Sequence, residues 1–275
     1  MTFSIVARST DGESWGVAVA SKFLAVGSVV PAAVAGLGAI AVQAEPNVAW
    51  KGLALSMLDE GATAQVTLDR LLEDDDAADD RQVGLVDHEG SAVAHTGARC
   101  FPWAGHRVGP GVTVQGNVLA GPEVLAAMLE SWDATADEPE LARRLLAALQ
   151  AGDRAGGDRR GRQSAALLVV REGAGYGGMD DIAVDLRVDE HPEPATELAR
   201  LLDLNRVYLT ASTEEERVHL DPDLRAELEE LARAAGHPDL ATYVGFENYE
   251  MRADLDADPA WVDELVVAVL RSTSS

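Results

Sequence analysis

Thr2 stands where removal of Met1 makes it the first residue of the chain. A threonine at that position carries a nucleophile and a base together. Its hydroxyl attacks, and its own α-amine, with a pKa of about 7.7 to 8.0, takes the proton. Two other clusters have the character of a site. Gln115-Gly116-Asn117 supplies neutral donors of the kind that stabilise an oxyanion, and Trp103-Ala104-Gly105-His106 adds a histidine for proton transfer. The densest polar run is Ala155-Gly156-Gly157-Asp158-Arg159-Arg160-Gly161-Arg162-Gln163-Ser164. Its glycines let backbone amides approach a ligand, and Asp158 and Arg160 bring charge of both signs. It lacks the Gly-Lys-Ser/Thr ending of a nucleotide P-loop, so ATP binding of that kind is excluded.

Each cluster also has a plainer reading. Most proteins with threonine after methionine never use it chemically, and a glycine-rich run is often only a helix-to-strand connection with an aspartate capping the turn. A single histidine in a glycine-rich loop is more often structural. Cys100 is a nucleophile only if His106 lies beside it, and nothing in the sequence lowers its thiol pKa. The six histidines show no helical His-x-x-x-His pair, and the Asp74-Asp75-Asp76 run lacks EF-hand spacing, so no metal or cofactor is expected.

Positioning Thr2 requires a sheet. Phe3, Ile5 and Ala7 alternate with Ser4 and Val6, and Asp11-Gly12 separates them from the apolar run at residues 15–20. That is a hairpin pattern, and it returns Ser21 and Lys22 near the chain start. Residues 23–42 carry no charge over the length of a membrane span. Gly27, Pro31, Gly36 and Gly38 break the run, so it is read as two short buried strands, 26–30 and 39–42. Residues 52–72 read as two helices split at Gly61, and 73–80 as a solvated acidic loop. A second hairpin follows over 81–96, then a strand at 112–115. Helices over 122–132 and 138–150 carry their leucines at core spacing. Strands at 164–171 and 182–188 and a helix from 197 complete this part. Strands not each followed by a helix point to an α+β fold rich in antiparallel sheet.

The chain has 275 residues, 47% of them hydrophobic, enough for one large core and a small one. Its net charge of -25 repels nucleic acid and anionic membrane surfaces, so neither is an expected partner. The single cysteine excludes an intrachain disulfide. No basic stretch followed by an apolar core marks a secretory signal, and the cytoplasm is the expected location. From Asn205 onward acids outnumber bases 16 to 6, and the pattern reads as a small helical domain over 205–275 after a first domain over 1–204. The apolar 23–42 run offers an interface for a homo-oligomer.

Thr2 to Arg8, Gly16 to Phe23, Arg81-Gln82-Val83-Gly84, Trp103 to His106, Gln115 to Asn117 and the Asp158 run together resemble the uncharacterised DUF-ten-twenty-eight family over most of residues 2–204. That family is similar in fold to the N-terminal-nucleophile (Ntn) hydrolases, which implies a four-layer αββα sandwich of two antiparallel sheets. Residues 205–275 more loosely resemble its C-terminal extension, described as a peptidoglycan-binding module. The resemblance implies an amidohydrolase acting on a small C–N amide: Thr2 attacks, Asn117 receives the oxyanion, Lys22 holds down the amine pKa and Asp158 orients the amine. Ser21, Gln82, His106, Gln115, Arg160 and Ser164 are the implied substrate-binding residues. The alternative is a non-catalytic scaffold of the same shape that binds a small metabolite or cell-wall fragment. Catalysis by Thr2 requires loss of Met1.

Overall fold

The computed structural model describes residues 2–273, so the expectation about Met1 lies outside the described residues. These residues fall into two compact units dividing between Leu202 and Asp203. The first unit runs β1 (Thr2–Arg8), β2 (Ser14–Ser21), β3 (Pro31–Val34), β4 (Gly38–Ala44), α1 (Ala49–Asp59), α2 (Ala64–Glu73), β5 (Arg81–Asp87) and β6 (Ala92–Thr96). It continues with β7 (Gly105–Gly109), β8 (Val112–Asn117), α3 (Glu123–Ala134), α4 (Leu141–Arg154), β9 (Ser164–Arg171), β10 (Ile182–Val188) and the start of α5 (Pro194–Tyr208). The fold is α+β, and the paired strands are antiparallel.

In the first unit two sheets form among the described residues, one of six strands in the order β10-β9-β2-β1-β8-β7 and one of four in the order β3-β4-β5-β6. Strand alternation sorts their side chains. On β1, Phe3, Ile5 and Ala7 join the core built with Val124, Leu125 and Met128 of α3 and Leu145 and Leu149 of α4. Val6, on the opposite face, packs with Val17 and Val19 of β2 against Ala39 and Ala41 of β4 and Val86 of β5. The far face of the four-stranded sheet buries Ile40, Val42 and Leu85 against Trp50 and Leu58 of α1 and Leu68 and Leu71 of α2.

The space between the sheets changes character along its length. Around Val6, Val17 and Val19 it is apolar apart from Thr113, which lies opposite Val6, and toward the start of β1 it is filled by Ser4, Gln43, Gln82 and Gln115, all buried. Gly84 makes the close approach feasible. A Cβ on Gly84 would collide with Gln115 Oε1 and Thr113 Oγ1 of the opposite sheet.

Several expectations shift by a few residues. In the uncharged 23–42 stretch, residues 26–28 form a 3-10 turn instead of a strand, and β3 begins at Pro31. Val30 is nonetheless buried in the inter-sheet core, which explains the apolar pattern. The edge strand β7 has no apolar alternation to announce it, since His106 and Arg107 lie at the surface. No helix among the described residues is long and apolar enough to cross a membrane.

The second unit comprises the end of α5, then β11 (Arg217–His219), α6 (Pro222–Ala234), α7 (Leu240–Phe246), β12 (Ala253–Asp254), β13 (Trp261–Asp263) and α8 (Glu264–Thr273). It is not purely helical, as the sequence led us to expect: β11, β13 and β12 form a small antiparallel sheet. Strands of two or three residues are too short to show a period of two. The buried Arg252 guanidinium donates to Asp263 at 2.7 Å within this unit, and Ser212 donates to the same carboxylate at 2.5 Å. The expected break at Asn205 falls inside α5. Leu198 and Leu202 of that helix belong to the first core, and Val207 and Tyr208 to the second.

Candidate functional site

Thr2 opens β1 directly opposite Asn117, the last residue of β8. It is 6% exposed, and its Oγ1 lies 3.2 Å from Ser21 Oγ at the end of β2. The hairpin thus returns Ser21 to the chain start. Asn117, 2% exposed, donates one amide hydrogen to Gln82 Oε1 at 2.9 Å. Gln43 donates to the same oxygen at 2.8 Å and to the Thr2 carbonyl at 3.4 Å. Two donors on Oε1 fix the Gln82 amide, whose Nε2 then faces Gly116 O at 2.8 Å, Thr96 Oγ1 at 2.9 Å and Gly105 O at 3.0 Å.

From Gln43 the network continues into β1 and β8. Ser4 Oγ donates to Gln43 Oε1 at 2.8 Å and accepts from Gln115 Nε2 at 2.7 Å. Gln115 therefore braces the inter-sheet layer. Gln115 Oε1 and Thr113 Oγ1 have no described hydrogen-bond partner.

Lys22 follows β2, and its backbone N–H donates to Asp158 Oδ2 at 2.7 Å. Its ammonium donates to the Arg162 carbonyl at 3.2 Å, at the surface. Asp158 is buried, and its other oxygen accepts from the Arg160 backbone N–H at 2.8 Å, with the Arg160 guanidinium 3.2 Å from Oδ2. Asp158 therefore staples the end of β2 to the glycine-rich loop.

That loop is docked on the segment after β8. Leu119 bridges Asp158, Ala120 N donates to Gly157 O at 3.1 Å, and Arg159 N donates to Val118 O at 3.3 Å. Gly157 has φ +48, and a Cβ there would sit 3.2 Å from the Phe3 ring, so only glycine fits without strain.

Ser164 lies opposite Ser21 in the β2/β9 register. Its hydroxyl donates to Phe23 O at 2.5 Å and accepts from Val26 N at 3.0 Å, anchoring the turn after β2. His106 Nδ1 is 2.9 Å from Thr96 Oγ1. The same hydroxyl accepts from Gln82 Nε2, and which partner donates in its contact with His106 follows the imidazole tautomer. Although the residue lies at the surface, partial desolvation of its ring, and then the neighbouring His95, lower the imidazole pKa from the ordinary histidine value. No hydrogen bond joins His106 to Cys100 among the described residues. The Cys100 Sγ lies 3.4 Å from Arg81 O, and burial pushes its pKa up, the opposite of an activated thiol.

A cavity of about 410 Å³ opens beside this assembly, lined by Asn117, Val118, Arg159, Arg160, Cys100 and Glu45 among others. Thr2 is not among its lining residues. Val118 and Ala44, both on its wall, adopt φ +50 and +70. A β-branched residue there is strained, and such strain collects at functional sites. The sequence reading missed Gln43, Ser4 and Arg159. The one usable signal for Gln43 is that it is the sole polar residue in the apolar run of β4. Among the described residues, no group of three or more His, Cys, Asp or Glu side chains converges in an arrangement that could hold a metal ion.

The family model of DUF1028, a family of unknown function, matches residues 2–198. The crystal structure of protein SPO2555 from Silicibacter pomeroyi, assigned to the same family model, is 31% identical. It superposes with a TM-score of 0.67, over 74% of this chain and 86% of that one. Anbu, an ancestral beta-subunit from Yersinia bercovieri, aligns over 74% of this chain and 94% of its own at 11% identity, with a TM-score of 0.34. A Gly-1 mutant of Anbu from Hyphomicrobium sp. strain MC1 gives the same identity and coverage, with a TM-score of 0.35. At those scores neither Anbu structure bears on this chain. No curated protein matches the sequence.

Proposed function

The chain belongs to the DUF1028 family, and from that premise we propose that its first unit is an Ntn-type amidohydrolase with Thr2 as nucleophile. In this reading α3 and α4, the six-stranded sheet, the four-stranded sheet, and α1 and α2 are the layers of an αββα sandwich. The three separate apolar cores between successive layers support it. The observation that carries the proposal is the pairing of Thr2 with Asn117 at the ends of two adjacent strands, with Asn117 on the cavity wall.

The chemistry follows from those positions. Once Met1 is lost, the Thr2 α-amine takes the hydroxyl proton as Oγ1 adds to the substrate carbonyl. Asn117 has two amide hydrogens and gives one to Gln82, which leaves the other for the oxyanion. Collapse expels the amine, which leaves with the proton held by the α-amine. Water then cleaves the Thr2 ester by the same base, releasing the acid. Thr2 supplies nucleophile and base, so the scheme calls for no metal or cofactor. Asp158 and Lys22 act in it by positioning: the carboxylate fixes the end of β2 next to Ser21. The working location in this reading is the cytoplasm.

One observation favours the second reading, a scaffold that binds without cleaving. Thr2 lies outside the cavity lining, and its hydroxyl already has Ser21 as a partner. A panel of small amides, ureides and acyl amino acids separates the two. The hydrolase loses turnover in Thr2→Ala and keeps part of it in Thr2→Ser. The scaffold binds the same compound equally well in wild type and Thr2→Ala, with no product from either.

A further inference from the structure

The cavity beside Asn117 has a charge pattern unlike the rest of the chain. Acids outnumber bases 47 to 22 overall, yet its wall carries Arg99, Arg159 and Arg160 against Glu45 and Asp80. Two of the three guanidinium groups are engaged. Arg99 holds Asp80 through Nε at 2.8 Å and Nη2 at 2.7 Å, and Arg160 is tied to the buried Asp158. Arg159 has no described side-chain partner, yet its backbone is fixed, since its N–H is bonded to Val118 O in the residue after Asn117. Arg159 lines this cavity with its backbone pinned beside the proposed oxyanion donor, so its guanidinium is within the reach of a ligand bound there. The planar guanidinium fork matches a carboxylate bidentately.

Glu45 limits which anion fits. It lines the same cavity with no described cation on its side chain, while its backbone carbonyl is held by Arg81 Nη1 at 2.5 Å. A ligand with two negative charges meets Glu45 as a like charge. A ligand with one carboxylate and neighbouring N–H donors satisfies both groups.

We infer that Arg159 is the specificity-determining residue of this site and that the ligand is a small amide bearing a single carboxylate, of the acyl-amino-acid type. Turnover of that ligand rests on the hydrolase reading, whereas its binding through Arg159 does not. Arg159 touches the carboxylate, and Asn117 faces the amide carbonyl.

The test is calorimetric or NMR-detected binding to the full chain. The probes are matched N-acetyl amino acids and their neutral C-terminal amides, with succinate and inorganic phosphate as dianions, all run in the Thr2→Ala background so that nothing turns over. The expected result is binding of the monocarboxylates alone. Arg159→Ala weakens it roughly 10- to 100-fold, as for loss of a charge-assisted pair, and Arg159→Lys restores it only in part, while thermal unfolding stays unchanged. Equal binding of the neutral amides, preference for a dianion, no binding of any carboxylate, or indifference to Arg159→Ala each overturn the inference. Turnover by wild type of neutral amides alone would overturn it and leave the hydrolase reading standing. Carboxylate binding through Arg159 without turnover by wild type would do the reverse.

Discussion

Asn117 gives an amide hydrogen to Gln82 across 2.9 Å, tying the end of β8 in one sheet to β5 in the other. The bond sets which way the Asn117 amide faces, because Gln82 is itself fixed by Gln43. Gln82→Leu removes the acceptor shared by Asn117 and Gln43 and orphans the two donors in a buried space. Each orphaned group costs about 1–3 kcal/mol, so urea unfolding is expected to show a loss of roughly 2–6 kcal/mol. Gln82→Glu keeps the acceptor but turns a carboxylate oxygen toward the Gly105 and Gly116 carbonyls, and it is expected to be less stable at pH 8 than at pH 5. A loss under 0.5 kcal/mol in both variants would remove Gln82 from the centre of the network.

Gly84 is the second test of the polar layer. Its missing side chain is what lets Gln115 and Thr113 approach from the opposite sheet. Gly84→Ala forces the sheets to shift and is expected to cost roughly 1–3 kcal/mol as an overpacked site. A neutral or stabilising effect would mean that the two sheets are not held at this spacing.

Asp75 gives a pH prediction. Hydrogen bonds from Arg81 and Asn47 hold its carboxyl down at about 2, below the ordinary aspartate range. A depressed carboxylate stabilises the fold fully above its unfolded pKa, and that contribution is lost as pH falls through the folded value. Stability attributable to Asp75 is therefore intact above about pH 4 and disappears on the way to about pH 2. Asp75→Asn flattens the pH dependence in that window. It also loosens Arg81, whose Nη1 holds the Glu45 carbonyl at the cavity wall. Chemical denaturation of both proteins between pH 2 and 6 checks the difference, and parallel curves would refute the assignment.

How much of this was legible without coordinates differs by element. The bounds of β9 and β10 follow directly from the sequence, because their apolar runs are bracketed by turn residues. Thr2, Ser21, Gln82, Gln115 and Asn117 are all residues that a reading of motifs singles out, and they do converge. Lys22 converges only through its backbone, since its ammonium reaches Arg162, a contact between side chain and main chain that no motif encodes. Gln43 was hidden because a polar residue in an apolar strand shows its meaning only when the facing sheet is known. Asp75 sits in an acidic run that reads as solvated loop, and its pairing with Arg81 depends on where β5 begins.

Lys22 and Asp158 separate positioning from packing. Asp158→Ala orphans the backbone N–H groups of Lys22 and Arg160 and is expected to cost roughly 1–3 kcal/mol. Lys22→Ala leaves its backbone bond intact and is expected to change stability by less than about 0.5 kcal/mol, as for an exposed side chain. Because Lys22 reaches the site through its backbone N–H and its ammonium bonds the Arg162 carbonyl, the same variant is expected to leave the pH–rate profile of hydrolysis unmoved; a moved profile would show that the ammonium tunes the Thr2 amine.

Everything in the catalytic account requires Thr2 to carry a free amine and to become acylated, and intact-mass spectrometry of the purified protein reads both. The account predicts a chain lacking Met1 that gains one acyl adduct when incubated with an electrophilic amide mimic. Peptide mapping then places the adduct on Thr2, and Thr2→Ala does not form it. A chain that keeps Met1 while still hydrolysing substrate, or an adduct mapped to any other residue, would contradict it.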